Sequence, residues 1–196
     1  MTNTSKMQLI HGGHRGTEAE FGRLAETWQV PQTTLSFEGH EVEHGANVEV
    51  LSDEVLETGR VSMEFVFQVL GRRFVTGKGL RRVLYSMFHV VVRSDSLFAI
   101  GWIKDDGTVK GGTGWGVELA KLFNRPVHVY DQDKNGWFRW EAGAWQPAEA
   151  RLPEGTFSAT GTRHLTDAGK QAISDLFESS LEGVERPVET AAAAHS

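Results

Sequence analysis

Two glycine-rich turns, each set between an apolar run and a helically periodic segment, constrain this chain most. The second reads Val109-Lys110-Gly111-Gly112-Thr113-Gly114-Trp115-Gly116-Val117-Glu118. It follows the apolar run of residues 97–103 and opens a periodic segment that ends near Asn124. That order is strand, glycine turn, helix. Glycines let a backbone turn tightly and bring bare N–H groups close to a ligand. The N-terminus of the following helix adds unpaired donors and partial positive charge. Together they form an anion site whose usual occupant is phosphate. A tight turn that binds nothing is the competing reading. The first turn is Gly12-Gly13-His14-Arg15-Gly16-Thr17-Glu18, preceded by an apolar run over residues 7–11. Phe21, Leu24, Ala25 and Trp28 follow it at helical spacing. Thr17 with Glu20 three residues on fits a capping box. In an open parallel sheet both turns fall at carboxyl ends of strands, where ligands bind.

The remaining segments alternate in the same way. Pro31 stops the first helix, and residues 32–37 read as a second strand. Residues 38–60 read as an acidic, polar loop. Within it His40 and His44 have the spacing of a helical metal pair, but Gly39 and Gly45 flank them, which favours a solvated loop and no metal site. Residues 61–70 and 80–88 read as helices, and Val90, Val91 and Val92 as the start of a strand region. Residues 97–102 and 127–130 read as buried strands. Trp137, Trp140 and Trp145 fall in a small hairpin around Glu141-Ala142-Gly143. Residues 153–158 read as loop, and Thr166 caps a final helix over residues 167–181. The expected fold class is α/β: a Rossmann-like parallel sheet of four or five strands flanked by helices, with a small Trp-rich β appendage. Residues 1–182 would form one domain and residues 183–196, poor in large apolar groups, a disordered tail.

Composition narrows the function. A net charge of −6 argues against general nucleic-acid or membrane-surface binding, which needs a basic field. The absence of cysteine removes disulfides and thiolate metal sites. No apolar run reaches signal-peptide or membrane-span length, so the expected location is the cytoplasm. The most basic stretch holds Arg72, Arg73, Lys78, Arg81 and Arg82. It fails the nucleotide P-loop pattern, because Arg72 and Gly79 stand where that motif needs glycine and a hydroxyl residue. It reads either as a contact for phosphate or a partner, or as a solvated helix face.

The candidate ligand-binding residues are Gly12, Gly13, His14, Gly16 and Thr17 of the first turn, with Gly111, Gly112, Thr113, Gly114 and Trp115 of the second. Thr113 can donate a hydroxyl to phosphate, and Trp115 can stack on a base or sugar. Ser94 and Asp95 join them as residues of a strand break. Arg163, after a glycine and before the last helix, suits bidentate phosphate contact.

The order of segments resembles the SLOG superfamily, the Rossmann-like fold shared by lonely-guy phosphoribohydrolases and molybdenum carrier-like proteins. Three stretches carry the resemblance. Gly12 to Glu18 is similar to the carrier-like family's Gly-Gly-x-x-Gly turn closed by an acid. Arg93-Ser94-Asp95-Ser96-Leu97 is similar to its Asn-Val-x-x-Ser-Asp segment, with His89 in place of the asparagine. Residues 109–120 with Arg125-Pro126-Val127 are similar to its Gly-Gly-Thr turn, helix and Lys-Pro-Val strand. The second turn also resembles the lonely-guy Gly-Gly-x-Gly-Thr-x-x-Glu motif at Gly111, Gly112, Gly114 and Glu118, with Trp115 in place of threonine and Lys110 in place of proline. The resemblance implies Glu118 as the acid in cleavage of a nucleotide N-glycosidic bond, with Arg15, Arg93 or Arg163 assisting and Arg15 taken first. It equally implies a sensor or carrier without chemistry, including carriage of a molybdopterin-type ligand, with no cofactor required. A homodimer paired through helices, the apolar helix of residues 61–70 among them, is implied as well.

Overall fold

The computed structural model describes residues 4–73 and 77–184. Among them, eight strands form one sheet: β1 (Met7–His11), β2 (Gln32–Phe37), β3 (Val48–Leu51), β4 (Ser96–Gly101), β5 (Val127–Asp131), β6 (Gly136–Glu141), β7 (Ala144–Pro147) and β8 (Gly155–Gly161). Their spatial order is β3-β2-β1-β8-β4-β5-β6-β7. β1 to β5 and β8 pair in parallel, while β6 and β7 add an antiparallel hairpin at one edge. This is the α/β, Rossmann-like sheet with a tryptophan-bearing appendage that the sequence implies, with six parallel strands rather than four or five.

The helices are α1 (Thr17–Thr27), α2 (Asp53–Glu57), α3 (Arg60–Val69), α4 (Lys78–Val92), α5 (Thr113–Leu122) and α6 (Asp167–Ser180). Strand side chains alternate between faces. Leu97 and Ala99 of β4 therefore join a core with α2, α3, α4 and α5, through residues such as Met63, Leu84 and Val117. Phe98 and Ile100 face α1 and α6, where Phe21, Ile173 and Phe177 complete a second core. Three layers result. The chain runs outward from β1 through β2 to β3, then returns to build β4 and β5 on the other side. The parallel strands diverge around β1 and β8, and their carboxyl ends open a crevice at that switch point.

Several local expectations are corrected. The polar stretch after β2 contains edge strand β3 and short helix α2, whose Ser52 side chain accepts from the Val55 amide. Residues 90–92 finish α4 instead of starting a strand, because Val90 and Val91 bury against the sheet; tertiary packing overrides β-branched preference there. Residues 155–161, expected partly as loop, form the central strand β8. Its polar residues are buried but satisfied. The Ser158 hydroxyl donates to the Ser96 carbonyl and accepts from Ser94, and the Thr160 hydroxyl donates to Glu18. Small residues suit this strand because α5 presses on it: a Cβ on Gly116 would lie 3.1 Å from the Thr160 methyl. No helix among the described residues is long and apolar enough to cross a membrane. Residues 185–196 of the expected tail lie outside the described residues.

Candidate functional site

The first glycine turn joins β1 to α1, and the amides of Gly12, Gly13, His14 and Thr17 are bonded within the protein. Glu18, only 6% exposed, accepts from the Gly12 amide at 3.0 Å and the His14 amide at 3.3 Å through Oε2. Its Oε1 accepts from the Thr160 hydroxyl at 3.2 Å. The Gly13 amide donates to His11 Nδ1 at 3.1 Å, so the His11 proton sits on Nε2, which faces Gln32 Oε1 at 3.0 Å. The expected capping box does not form. Gly16 is the N-cap, and the Thr17 hydroxyl and amide both donate to the Thr162 carbonyl at the end of β8. Gly16 has φ +90°, and a Cβ there would lie 2.5 Å from the Thr162 oxygen. The first turn is thus stitched to β8, and it presents side chains to the crevice: His14 and Arg15.

The second turn joins β4 to α5 and is different. Lys110 donates its amide to Trp102, and Trp115 donates to Gly112. The N–H groups of Gly111, Gly112, Thr113 and Gly114 have no acceptor among the described residues. The α5 N-cap, Gly112, supplies no side-chain cap. Arg72 Nη1 donates to the Gly111 carbonyl at 2.9 Å and holds the turn's shape from outside. Its guanidinium also lies 5.5 Å from the Trp115 ring centroid. Trp115 packs on Phe67 at 5.6 Å, and its Nε1 is buried without a partner among the described residues.

Two clefts open along this carboxyl edge. One, of about 450 Å³, is lined by Gly111, Gly112, Thr113, Trp115, Trp102 and Lys110, with residues 161–164 opposite. The other, of about 710 Å³, includes His14, Arg15, Phe37, His40, Arg163 and His164 in its lining. Both volumes suit a nucleotide-sized ligand. Arg163 and His164, just past β8, line both and join them.

The structure brings His14, Arg15, Gly111, Gly112, Thr113, Trp115 and Arg163 to the clefts. Gly114 lies beneath its cleft, where a Cβ would run into the Val109 carbonyl oxygen, while Gly12, Gly13, Gly16 and Thr17 shape the first turn from behind. Ser94 and Asp95 stand at the opposite, amino edge of the sheet. Ser94 bonds Ser158, and Asp95 accepts from the Thr156 hydroxyl at 2.6 Å, which holds its carboxyl below the usual range. Arg93 pairs with Glu49 at 2.8 Å. Glu118 lines neither cleft. It pairs with Lys121 at 2.8 Å, and the Lys121 ammonium lies 3.6 Å from the Trp140 ring centroid.

Sequence reasoning does not single out Trp102, Lys110, His164 or His40 as cleft residues. Lys110 and Trp102 bracket the turn, a signal that was available. His40 depends on a long-range contact: its Nε2 is 2.9 Å from His14 Nδ1, and its ring stacks on Phe37 at 4.7 Å. Burial first, and then the neighbouring His14, lower its pKa to about 4. Burial likewise lowers that of His11. Both rings are therefore neutral at physiological pH. Among the described residues no group of three or more His, Asp or Glu side chains is placed to hold a metal ion.

No protein-family model matches the sequence, and no curated protein matches it. A solved structure does resemble it. The crystal structure of a "Putative molybdenum carrier protein" from Syntrophus aciditrophicus SB is similar over 89% of this chain and 94% of its own, with a TM-score of 0.52 and 16% identity. The chain shares the overall α/β fold of that structure. At this identity the likeness concerns architecture, and it is the Rossmann-like architecture that the SLOG resemblance implies.

Proposed function

We propose that this protein binds a phosphate-bearing, nucleotide-derived ligand along the carboxyl edge of its sheet and acts as a carrier or sensor. One observation carries the reading: the amides of residues 111–113 have no acceptor among the described residues, and these residues line a cleft that Arg163 also lines. A helix N-terminus with free donors favours an anion, and an arginine fork suits phosphate. The Trp102 and Trp115 rings supply flat apolar walls for the ligand's planar part. This donor set also fits a molybdopterin-type ligand, whose phosphate would take the amides of Gly111, Gly112 and Thr113. The fold of the carrier-like neighbour is in keeping with that choice. Carriage is favoured over N-glycosidic hydrolysis because Glu118 pairs with Lys121 and lines neither cleft.

A thermal-shift panel of nucleoside mono-, di- and triphosphates, ADP-ribose, molybdopterin compounds and molybdate tests it. A true ligand at ~100 times its dissociation constant stabilises the fold by roughly 2.7 kcal/mol. The expected result is a shift with at least one phosphate-bearing compound that is recovered intact. Release of free base would support the hydrolase reading instead, and no shift with any of them would contradict the site. A second copy of the chain is the proposed partner for the α3 stripe Val61, Phe65 and Val69, which are 71%, 48% and 50% exposed. Light scattering should report a dimer for the native chain and a monomer for Phe65→Glu.

A further inference from the structure

The N-terminal half of α4 departs from the usual charge arrangement of a helix. Lys78, Arg81, Arg82 and Tyr85 recur on one of its faces at the spacing of successive turns. They line a small cleft between α2 and α4 together with Asp53, Leu56 and Glu57. Cations at a helix N-terminus sit against the positive end of the macrodipole, and the first turn of α4 holds no acid to offset them. Gly77, the N-cap, contributes no side-chain acceptor or donor.

The charges in the cleft are unevenly satisfied. Arg82 is engaged: it bonds Asp53 at 2.7 Å and the Glu38 carbonyl at 2.9 Å. Lys78 stands 3.8 Å from the same Asp53. Glu57 is shared with Arg60 at 4.0 Å. Arg81 has no acidic partner among the described residues. Tyr85 supplies the independent observation. It is 2% exposed, it lines this cleft, and its hydroxyl has no hydrogen-bond partner among the described residues. A buried hydroxyl left unpaired costs about 1–3 kcal/mol, so such groups normally have an occupant beside them. Burial also raises the Tyr85 pKa, which keeps the phenol a proton donor at neutral pH.

We propose that the α2–α4 cleft is a second anion site, separate from the carboxyl-edge clefts, that takes one tetrahedral oxyanion of the phosphate class. Arg81 and Lys78 neutralise it, and the Tyr85 hydroxyl donates to it. The cleft volume of about 140 Å³ admits a single phosphate group and excludes a nucleoside. Its position gives it a route to the ligand site, because the same helix turn also lends Gly79 and Val83 to the larger carboxyl-edge cleft.

The test is a titration of the ¹⁵N-labelled full chain with inorganic phosphate, followed amide by amide, for the native protein, Tyr85→Phe and Arg81→Gln. Tyr85→Phe removes a hydroxyl that has no protein partner, and Arg81→Gln alters a partly exposed side chain, so both should melt close to the native protein without phosphate. The expected result is saturable shifts at residues 77–82, with affinity reduced about tenfold in each variant, as for loss of one hydrogen bond to a charged group. A parallel titration with glycerol phosphate distinguishes the source: tighter binding than inorganic phosphate assigns a phosphomonoester, and weaker binding assigns the free ion. Shifts confined to Gly111–Gly114, or equal affinity in the native chain and both variants, would overturn the proposal and leave Tyr85 bonded to buried water.

Discussion

Gly114→Ala is expected to lower folding stability by about 3 kcal/mol, the upper part of the range for overpacking a tight contact. A Cβ at this position would run into the Val109 carbonyl oxygen. That atom is backbone and has little room to retreat, because Val109 is fully buried and bridges Ile103. For a chain of this length the loss corresponds to a fall in melting temperature of roughly 6–12 °C. Gly112→Ala provides the contrast. Gly112 has φ −64°, and the nearest atom to a new Cβ is on Trp115 at 3.8 Å. Its stability should stay within about 0.5 kcal/mol of native, as for an unstrained surface substitution. Thermal melts of the two variants separate the glycine that the fold requires from the glycine that leaves space in the cleft. Equal stability of both would contradict the geometry of this turn.

The second large effect is expected at Glu18. Its carboxylate accepts from the Gly12 amide, the His14 amide and the Thr160 hydroxyl, and it is 6% exposed. Glu18→Ala removes the acceptor and strands buried donors, at a cost of about 3 kcal/mol. Glu18→Gln keeps one carbonyl oxygen for the two amides, and the Thr160 hydroxyl can reverse its role and accept. The loss should therefore be about half as large. Denaturant unfolding of the pair measures both values. A Glu18→Ala protein as stable as native would mean that the first turn is held by Gly16 and Thr17 alone. His14 and Arg15 project from this same turn, so ligand affinity should fall along with stability in the alanine variant.

The pattern of success in reading the sequence follows the range of the signals. Both glycine turns are local features, and their placement between apolar runs and helices survives in the fold. Thr166 likewise caps α6, accepting from the Gly169 amide. The central strand β8 is illegible locally. Residues up to Ser158 read as loop, and only partners more than 60 positions away satisfy the Ser158 and Thr160 hydroxyls. Glu18 has the same character. The resemblance closes the first turn with this acid, and spacing adds Glu20 as a capping-box partner; the box does not form, whereas Glu18 holds the turn and its second oxygen finds Thr160 on β8.

The candidate site divides along the same line. His14, Arg15, Gly111, Gly112, Thr113 and Trp115 reach the clefts because the strand-to-helix turns that carry them lie at the carboxyl edge of the sheet. Ser94 and Asp95 stand at the far edge because residues 90–92 are helical, which puts the start of β4 after them. Glu118 matches a motif by spacing, yet the β6–β7 hairpin decides its surroundings. Trp140 and Trp145 hold Lys121, and Lys121 holds Glu118. The Glu118–Lys121 pair is local, but the tryptophans that hold Lys121 lie outside any window of a few residues.

The central claim is that the second glycine turn holds phosphate with its own backbone. The direct measurement is an amide-resolved titration of the native chain with inorganic pyrophosphate, the handle common to many nucleotides. The account predicts that the amides of Gly111, Gly112 and Thr113 shift together and saturate, while those of Gly12 and Gly13, already bonded to Glu18 and His11, move little. Saturating shifts at the first turn with none at the second would contradict it.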